Sequence, residues 1–159
     1  MKSSAANTLN DTVVWGAFGL FSLLAVALNL SFSVSFFDGP IDRYDSALCS
    51  WVLAWDCHQF FGGDGRLFDA NILHPQKNTL AYSEHFLGQA LWVWPFRLLG
   101  FTPGGLHNAA LLIAFVLNGF IPFLVVRRLF RSTAAGLVAG CIYARSEEHT
   151  SELQSLLII

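Results

Sequence analysis

Two uncharged apolar runs constrain this chain more than anything else in it. Thr12–Phe37 and Leu106–Val126 contain no Asp, Glu, Lys or Arg. A helix rises 1.5 Å per residue, so about 20 apolar residues cross the hydrocarbon core of a bilayer. Each run therefore predicts a transmembrane helix. The chain as a whole agrees: 54% of its 159 residues are hydrophobic and 13% charged, against about 25% charged in an ordinary soluble domain. A cleaved signal peptide is the rival reading of the first run. It would need an apolar core of only about 7–15 residues behind a basic start, whereas here the run is longer, Lys2 is the only basic residue before it, and SFSVSFFDGP is a weak cleavage site. The net charge of −2 gives no basic surface for nucleic acid.

Between the two runs lies a polar, acidic stretch. Asp38, Asp42, Asp45, Asp56, Asp64, Asp69 and Glu84 are all in it, and only Asp11 is an acid elsewhere before Ala144. Gly39-Pro40 breaks the first helix. From Asp45, DSALCSWVLAWDCHQFF has Leu48, Trp51, Val52 and Trp55 at i, i+3, i+4 and i+7, the spacing of one helical face. Asp45 suits the N-cap, and the Trp-bearing face suits a membrane–water interface. Asp45 and Asp56 fall on one side of such a helix about 16 Å apart, too far to share a proton or a metal ion. Gly62, Gly63 and Gly65 end the helix; GGDGR does not join a strand to a helix, so it is a turn and not a phosphate loop. An irregular run is expected over Leu67–Tyr82.

Charge orders the topology. Arg127, Arg128 and Arg131 form the one basic cluster and are expected to face the cytoplasm. With Lys2 inside, the span over about 12–37 goes out and the span over about 106–126 returns, which leaves 38–104 as an external loop. Phe86–Phe96 is apolar but too short to cross, so Phe86–Leu99 is expected to lie along the outer interface or to dip in and return. Thr133–Ala144 begins a third, truncated span. Pro122, Asn118 and His107 lie in or beside the second span, where polar groups usually hydrogen-bond between helices.

Several chemistries compete for the loop. His58, His74, Glu84 and His85 lack the spacing of a zinc motif. Cys57 and His58 are sequence neighbours, which point about 100° apart on a helix, so a nucleophilic dyad is disfavoured. Cys49, Cys57 and Cys141 form no disulfide framework and read as small buried residues. A carboxylate acting as general base at the membrane surface fits best. Asp45 is the first candidate and Asp42 the second.

The segments YDSALCSWVLAWDCHQFF, LFDANILHPQKNTLAYSEHFLGQALWVWPF and VVRRLFRSTAAGLVAG, preceded by an N-terminal span, resemble bacterial polytopic membrane glycosyltransferases of the GT-C type. The resemblance runs from about Thr12 to Ala144. It implies an essential acid and two membrane-parallel helices in the first external loop, corresponding here to Asp45, Asp45–Phe61 and Phe86–Leu99. The function it implies is inverting sugar transfer from a polyprenyl-phosphate-linked donor at the extracytoplasmic face of the bacterial inner membrane, with the N-terminus cytoplasmic. Asp45 would be the base. Arg43, Arg66 or Lys77 would meet donor phosphate, and His74, Glu84 and His85 join the expected substrate-binding residues. No cofactor is assigned, although a divalent metal is compatible with such chemistry. The family's frequent pair of adjacent acids is replaced by Asp42 and Asp45. The alternative is a non-catalytic polytopic protein that carries lipid-linked glycans or assists their assembly.

The charged segment RSEEHTSELQS, Arg145–Ser155, resembles the in-frame translation of a sequencing-library adapter. Residues 145–159 are accordingly expected to be non-native, with 1–144 the N-terminal part of a longer membrane domain. Without that tail, acids and bases number eight each. The expected fold is all-α: two full transmembrane helices, a truncated third, and a large external loop carrying two interfacial helices.

Overall fold

The computed structural model describes residues 2–28, 45–73, 75–82 and 85–145. The described residues are mostly helical, with no strand among them. The helices are α1 (Lys2–Leu28), α2 (Asp45–Phe61), α3 (Leu87–Leu98), α4 (Pro103–Phe130) and α5 (Thr133–Arg145), with a single 3-10 turn at Thr79–Tyr82. The chain divides into two compact units: Met1–Leu30 with Leu112–Ile159, and Ser31–Leu111.

Among the described residues two helices are long and apolar enough to cross a membrane, Asp11–Leu28 and Pro103–Phe130, and in each only 17% of an apolar 18-residue stretch is buried. The expected boundaries shift. The first helix starts at Lys2 and takes in the polar N-terminal segment, while the remainder of the expected 12–37 span lies outside the described residues. The helix expected at 106–126 is longer at both ends. Thr102 caps it, its hydroxyl accepting the Gly105 N–H at 3.1 Å, and Pro103 follows at the first helical position, where its missing N–H costs nothing. At the far end Arg127 and Arg128 belong to the helix itself, as their good helix propensity allows. Pro122 sits inside α4; it removes the hydrogen bond that would reach the Asn118 carbonyl.

The first unit is held by aromatic side chains set against glycines. Ala17, Phe21 and Phe123 form its buried cluster, with Leu24, Phe120, Leu124 and Leu137 packed around it. The Phe18 and Phe120 rings meet edge to face at 5.2 Å. Phe21 occupies space that only glycine leaves open: a methyl on Gly119 or on Gly140 would run into its ring. A methyl on Gly140 would also lie 2.5 Å from the Gly119 carbonyl oxygen, and one on Gly136 would lie 2.8 Å from that of Phe123. The backbones of α4 and α5 therefore approach as closely as small residues permit, the usual basis of helix association in lipid. Ser132 starts α5, its hydroxyl accepting the Ala135 N–H at 3.3 Å.

In the second unit α2 and α3 pack together, and both match the expected helices closely. The end of α3 is a complete Schellman motif. Gly100 has φ +87; its N–H donates to Arg97 O at 3.0 Å and the Phe101 N–H to Phe96 O at 3.2 Å. The Phe96 and Phe101 rings meet at 5.3 Å, the apolar contact that accompanies this cap. The Gly62–Gly63 pair ends α2 as expected. A methyl on Gly63 would lie 2.8 Å from Gln59 Cα, so the chain turns there only because no side chain intervenes. The segment after it is more ordered than an irregular run. Leu80 N–H donates to Phe68 O at 3.1 Å, and the Trp55 indole N–H donates to Leu67 O at 2.9 Å.

The tryptophans of α2 serve this internal packing. Val52, Ala70 and Leu80 form a buried cluster, with Trp51, Trp55, Ile72 and Phe86 packed against it, and the two indoles stack at 5.9 Å. Trp51 and Trp55 stay partly exposed while packing there, and an indole N–H that is partly buried usually finds such a partner. The cysteines differ from one another. Cys57 is buried, Cys49 is partly buried and Cys141 is exposed, so the expectation of burial holds fully for Cys57 alone.

Candidate functional site

The most unusual group in the second unit is a fully buried acid. Asp56 is 0% exposed, midway along α2 on the stripe that also buries Val52, Leu53 and Cys57. One carboxylate oxygen, Oδ2, accepts the Phe86 N–H at 3.0 Å. The other, Oδ1, lies 3.6 Å from His85 Nδ1. Phe86 is the N-cap of α3 and has no side-chain cap of its own. A helix start leaves backbone donors unpaired, and a carboxylate there also meets the positive end of the helix dipole. Asp56 thus does from a neighbouring helix what the acid of a capping box does from within its own.

Burial pushes the Asp56 carboxyl above its ordinary value, against the opposing pulls of the Phe86 N–H and of His85. The His85 ring is held edge-on against Phe68, with centroids 4.8 Å apart. Both of its nitrogens are buried and lack a hydrogen-bond partner. With both nitrogens covered, His85 in this arrangement orders the junction of α2 and α3. Cys57, next to Asp56, faces Ala90 O at 3.8 Å. Burial pushes its thiol up, the reverse of an activated nucleophile, while its neighbour His58 is exposed.

The predicted site residues fall in different places. Asp45 stands in the first turn of α2 and is exposed. The sequence put Asp45 and Asp56 on one side of a helix, yet one is open and the other sealed, because packing covers the helix around Asp56. Arg66 is exposed and engaged locally: its Nε lies 3.2 Å from Asp64 Oδ2, and its N–H donates to Asp64 Oδ1 at 3.3 Å. Such an exposed pair shapes the turn and contributes little energy. Lys77 is exposed. Asp69 accepts the Asn78 N–H at 3.4 Å. His85 is brought against Asp56, as Arg66 is against Asp64. Asp42, Arg43, His74 and Glu84 lie outside the described residues. Among the described residues no three His, Cys, Asp or Glu side chains converge as metal ligands would.

No protein family, curated protein or solved structure matches the chain. The reading of the site therefore rests on its own geometry. The residue that sequence reasoning left out of the site is Asp56. Its signal was present: it lies four residues after Val52 on the helix, so a face that buried Val52 brought an acid in beside it.

Proposed function

We propose that this chain is part of a membrane glycosyltransferase that uses a polyprenyl-phosphate-linked sugar at the extracytoplasmic face, with Asp45 as the general base. The observation that carries the reading is the position of Asp45. It is exposed in the first turn of α2, in a folded helical segment lying in sequence between the two helices apolar enough to span a bilayer. An acceptor hydroxyl can reach a carboxylate placed there, as general-base catalysis requires. The apolar flanks of both long helices are largely uncovered, which suits a lipid environment or further helices of a bundle. In this reading 38–104 is extracytoplasmic, Arg127–Arg131 is cytoplasmic, and of the cations expected to meet donor phosphate Arg66 and Lys77 are among the described residues.

The test is sugar transfer from a radiolabelled polyprenyl-phosphate donor by membranes containing the intact protein. Asp45→Asn is expected to lower the rate by roughly 10²–10⁴-fold while donor binding survives, since the lost group acts on the acceptor proton. Asn caps a helix nearly as well as Asp, so a merely structural role would leave the rate unchanged. Wild-type transfer by that variant at normal expression removes Asp45 from the mechanism.

A second reading, a non-catalytic polytopic protein that handles lipid-linked glycans, is favoured by a different observation. The described acids of the loop do not converge: Asp64 pairs with Arg66, Asp69 holds a turn, and Asp56 is sealed beneath α3. Binding of a polyprenyl-phosphate sugar without turnover, unaltered in Asp45→Asn, is the outcome that selects it.

A further inference from the structure

The first unit carries a groove that the sugar-transfer reading does not use. It is open, has a volume of about 630 Å³, and is lined by Arg127, Arg128, Arg131, Thr133, Val14 and Leu124. Residues 12–28 and 112–144 contain no carboxylate, and Asp11, three residues before Val14, is the acid nearest the groove in sequence. The Arg127 guanidinium carbon lies 5.8 Å from the centre of the Phe123 ring, a cation–π contact that fixes where this charge sits. Arg131 adopts φ +52 just beyond the end of α4, a conformation at which glycine is the usual residue. The remaining wall is aliphatic, from Val14 and Leu124, and Val125, Leu129 and Phe130 are exposed elsewhere around α4.

We propose that this groove binds the phosphate headgroup of an anionic phospholipid. The guanidinium fork matches phosphate oxygens two at a time, and Thr133 adds a hydroxyl donor. The aliphatic wall and the apolar flank of α4 provide for acyl chains, which a soluble phosphate does not have. The groove lies at the basic end of a helix long and apolar enough to span, where guanidinium groups would meet headgroups. The inference rests on the bilayer reading above and is independent of sugar transfer.

The experiment uses the intact protein reconstituted in vesicles of phosphatidylcholine with a minor share of phosphatidylglycerol. The protein is then extracted in mild detergent, and the lipid that stays bound is measured by mass spectrometry. Phosphatidylglycerol is expected to be enriched over its share in the vesicle. The Arg128→Gln/Arg131→Gln pair should lower that enrichment by roughly 25-fold, at about fivefold for each arginine. Leu124→Trp fills the groove without changing charge and should also abolish enrichment, which separates loss of the site from any change of topology in the arginine variant. Equal retention of both lipids by the wild type overturns the proposal, as does enrichment that survives Leu124→Trp and the arginine pair alike. Displacement of phosphatidylglycerol by millimolar inorganic phosphate assigns the groove to a soluble anion and overturns the lipid assignment. Alkaline carbonate extraction of the starting membranes keeps the two ideas apart. Release of the protein refutes the bilayer reading itself, whereas retention without enrichment refutes the groove alone.

Discussion

Asp56 shows how much one side chain can decide. Its burial raises the carboxyl above the ordinary value of 3.8, so the folded state holds a proton that the unfolded chain releases. A group raised in this way contributes stability that is complete below 3.8 and is lost as pH climbs through the folded value. Asp56→Asn keeps an oxygen for the Phe86 N–H and removes the buried charge. The variant is expected to unfold at a higher temperature than wild type at pH 7, and its stability should vary less from pH 4 upward, as read by thermal circular dichroism in detergent. Asp56→Leu leaves the Phe86 N–H without an acceptor and should cost about 1–3 kcal/mol instead. A wild-type pH profile in Asp56→Asn would show that the carboxyl carries no penalty. Asp45 gives the opposite lesson at the same scale. Its placement at a helix start was legible from residue type and position, because Asp favours helix starts for reasons local to the chain.

At the scale of the element, the helices were the most legible part of the molecule. Residues 45–61 were marked at both ends by Asp45 and by the Gly62–Gly63 turn, and the structure starts and stops α2 there. The buried face was harder to read. Apolar spacing selected Leu48, Trp51, Val52 and Trp55, whereas the structure fully covers Val52, Leu53, Asp56 and Cys57, a face turned about a third of the way around the helix. Periodicity counts apolar residues and takes no account of what packs against them; α3 presses on Cys57 through Ala90, and no local signal carries that contact. The end of α3, by contrast, follows from one residue. Gly100 alone can hold φ +87 without a Cβ penalty, so Gly100→Ala should lower stability by about 1–2 kcal/mol. Chemical denaturation of the intact protein in detergent measures it, and an unchanged midpoint would mean that the Schellman bonds do not hold this helix end.

Across the whole molecule, the division into long apolar helices and a polar helical segment follows from hydropathy, and the uncharged runs alone mark both long helices. What hydropathy left out is how they fit. The notch of Gly119 and Gly140 around Phe21 needs three segments distant in sequence, and nothing near any one of them names the other two. Gly140→Ala inserts a methyl where the Phe21 ring and the Gly119 carbonyl already stand. It is expected to force α5 away from its neighbours and cost about 1–3 kcal/mol, the usual range for overpacking. Disulfide trapping between cysteines placed at Leu24 and Leu137, which pack on the same cluster, should fall in this variant. Trapping at the wild-type rate would show that the helices do not depend on the notch. The site was less legible than the fold because burial, unlike helix formation, depends on the arrangement of the whole chain.

The thiol of Cys57 gives the second unit an internal clock. It is 1% exposed and faces a carbonyl of α3, so an alkylating reagent gains access only while α2 and α3 are parted. In the limit of fast reclosing, the modification rate is the free-thiol rate multiplied by the fraction of time spent open. One native cysteine thus converts the breathing of a helix pair into a chemical rate, with the exposed Cys141 of the same chain as an internal reference for reagent reactivity.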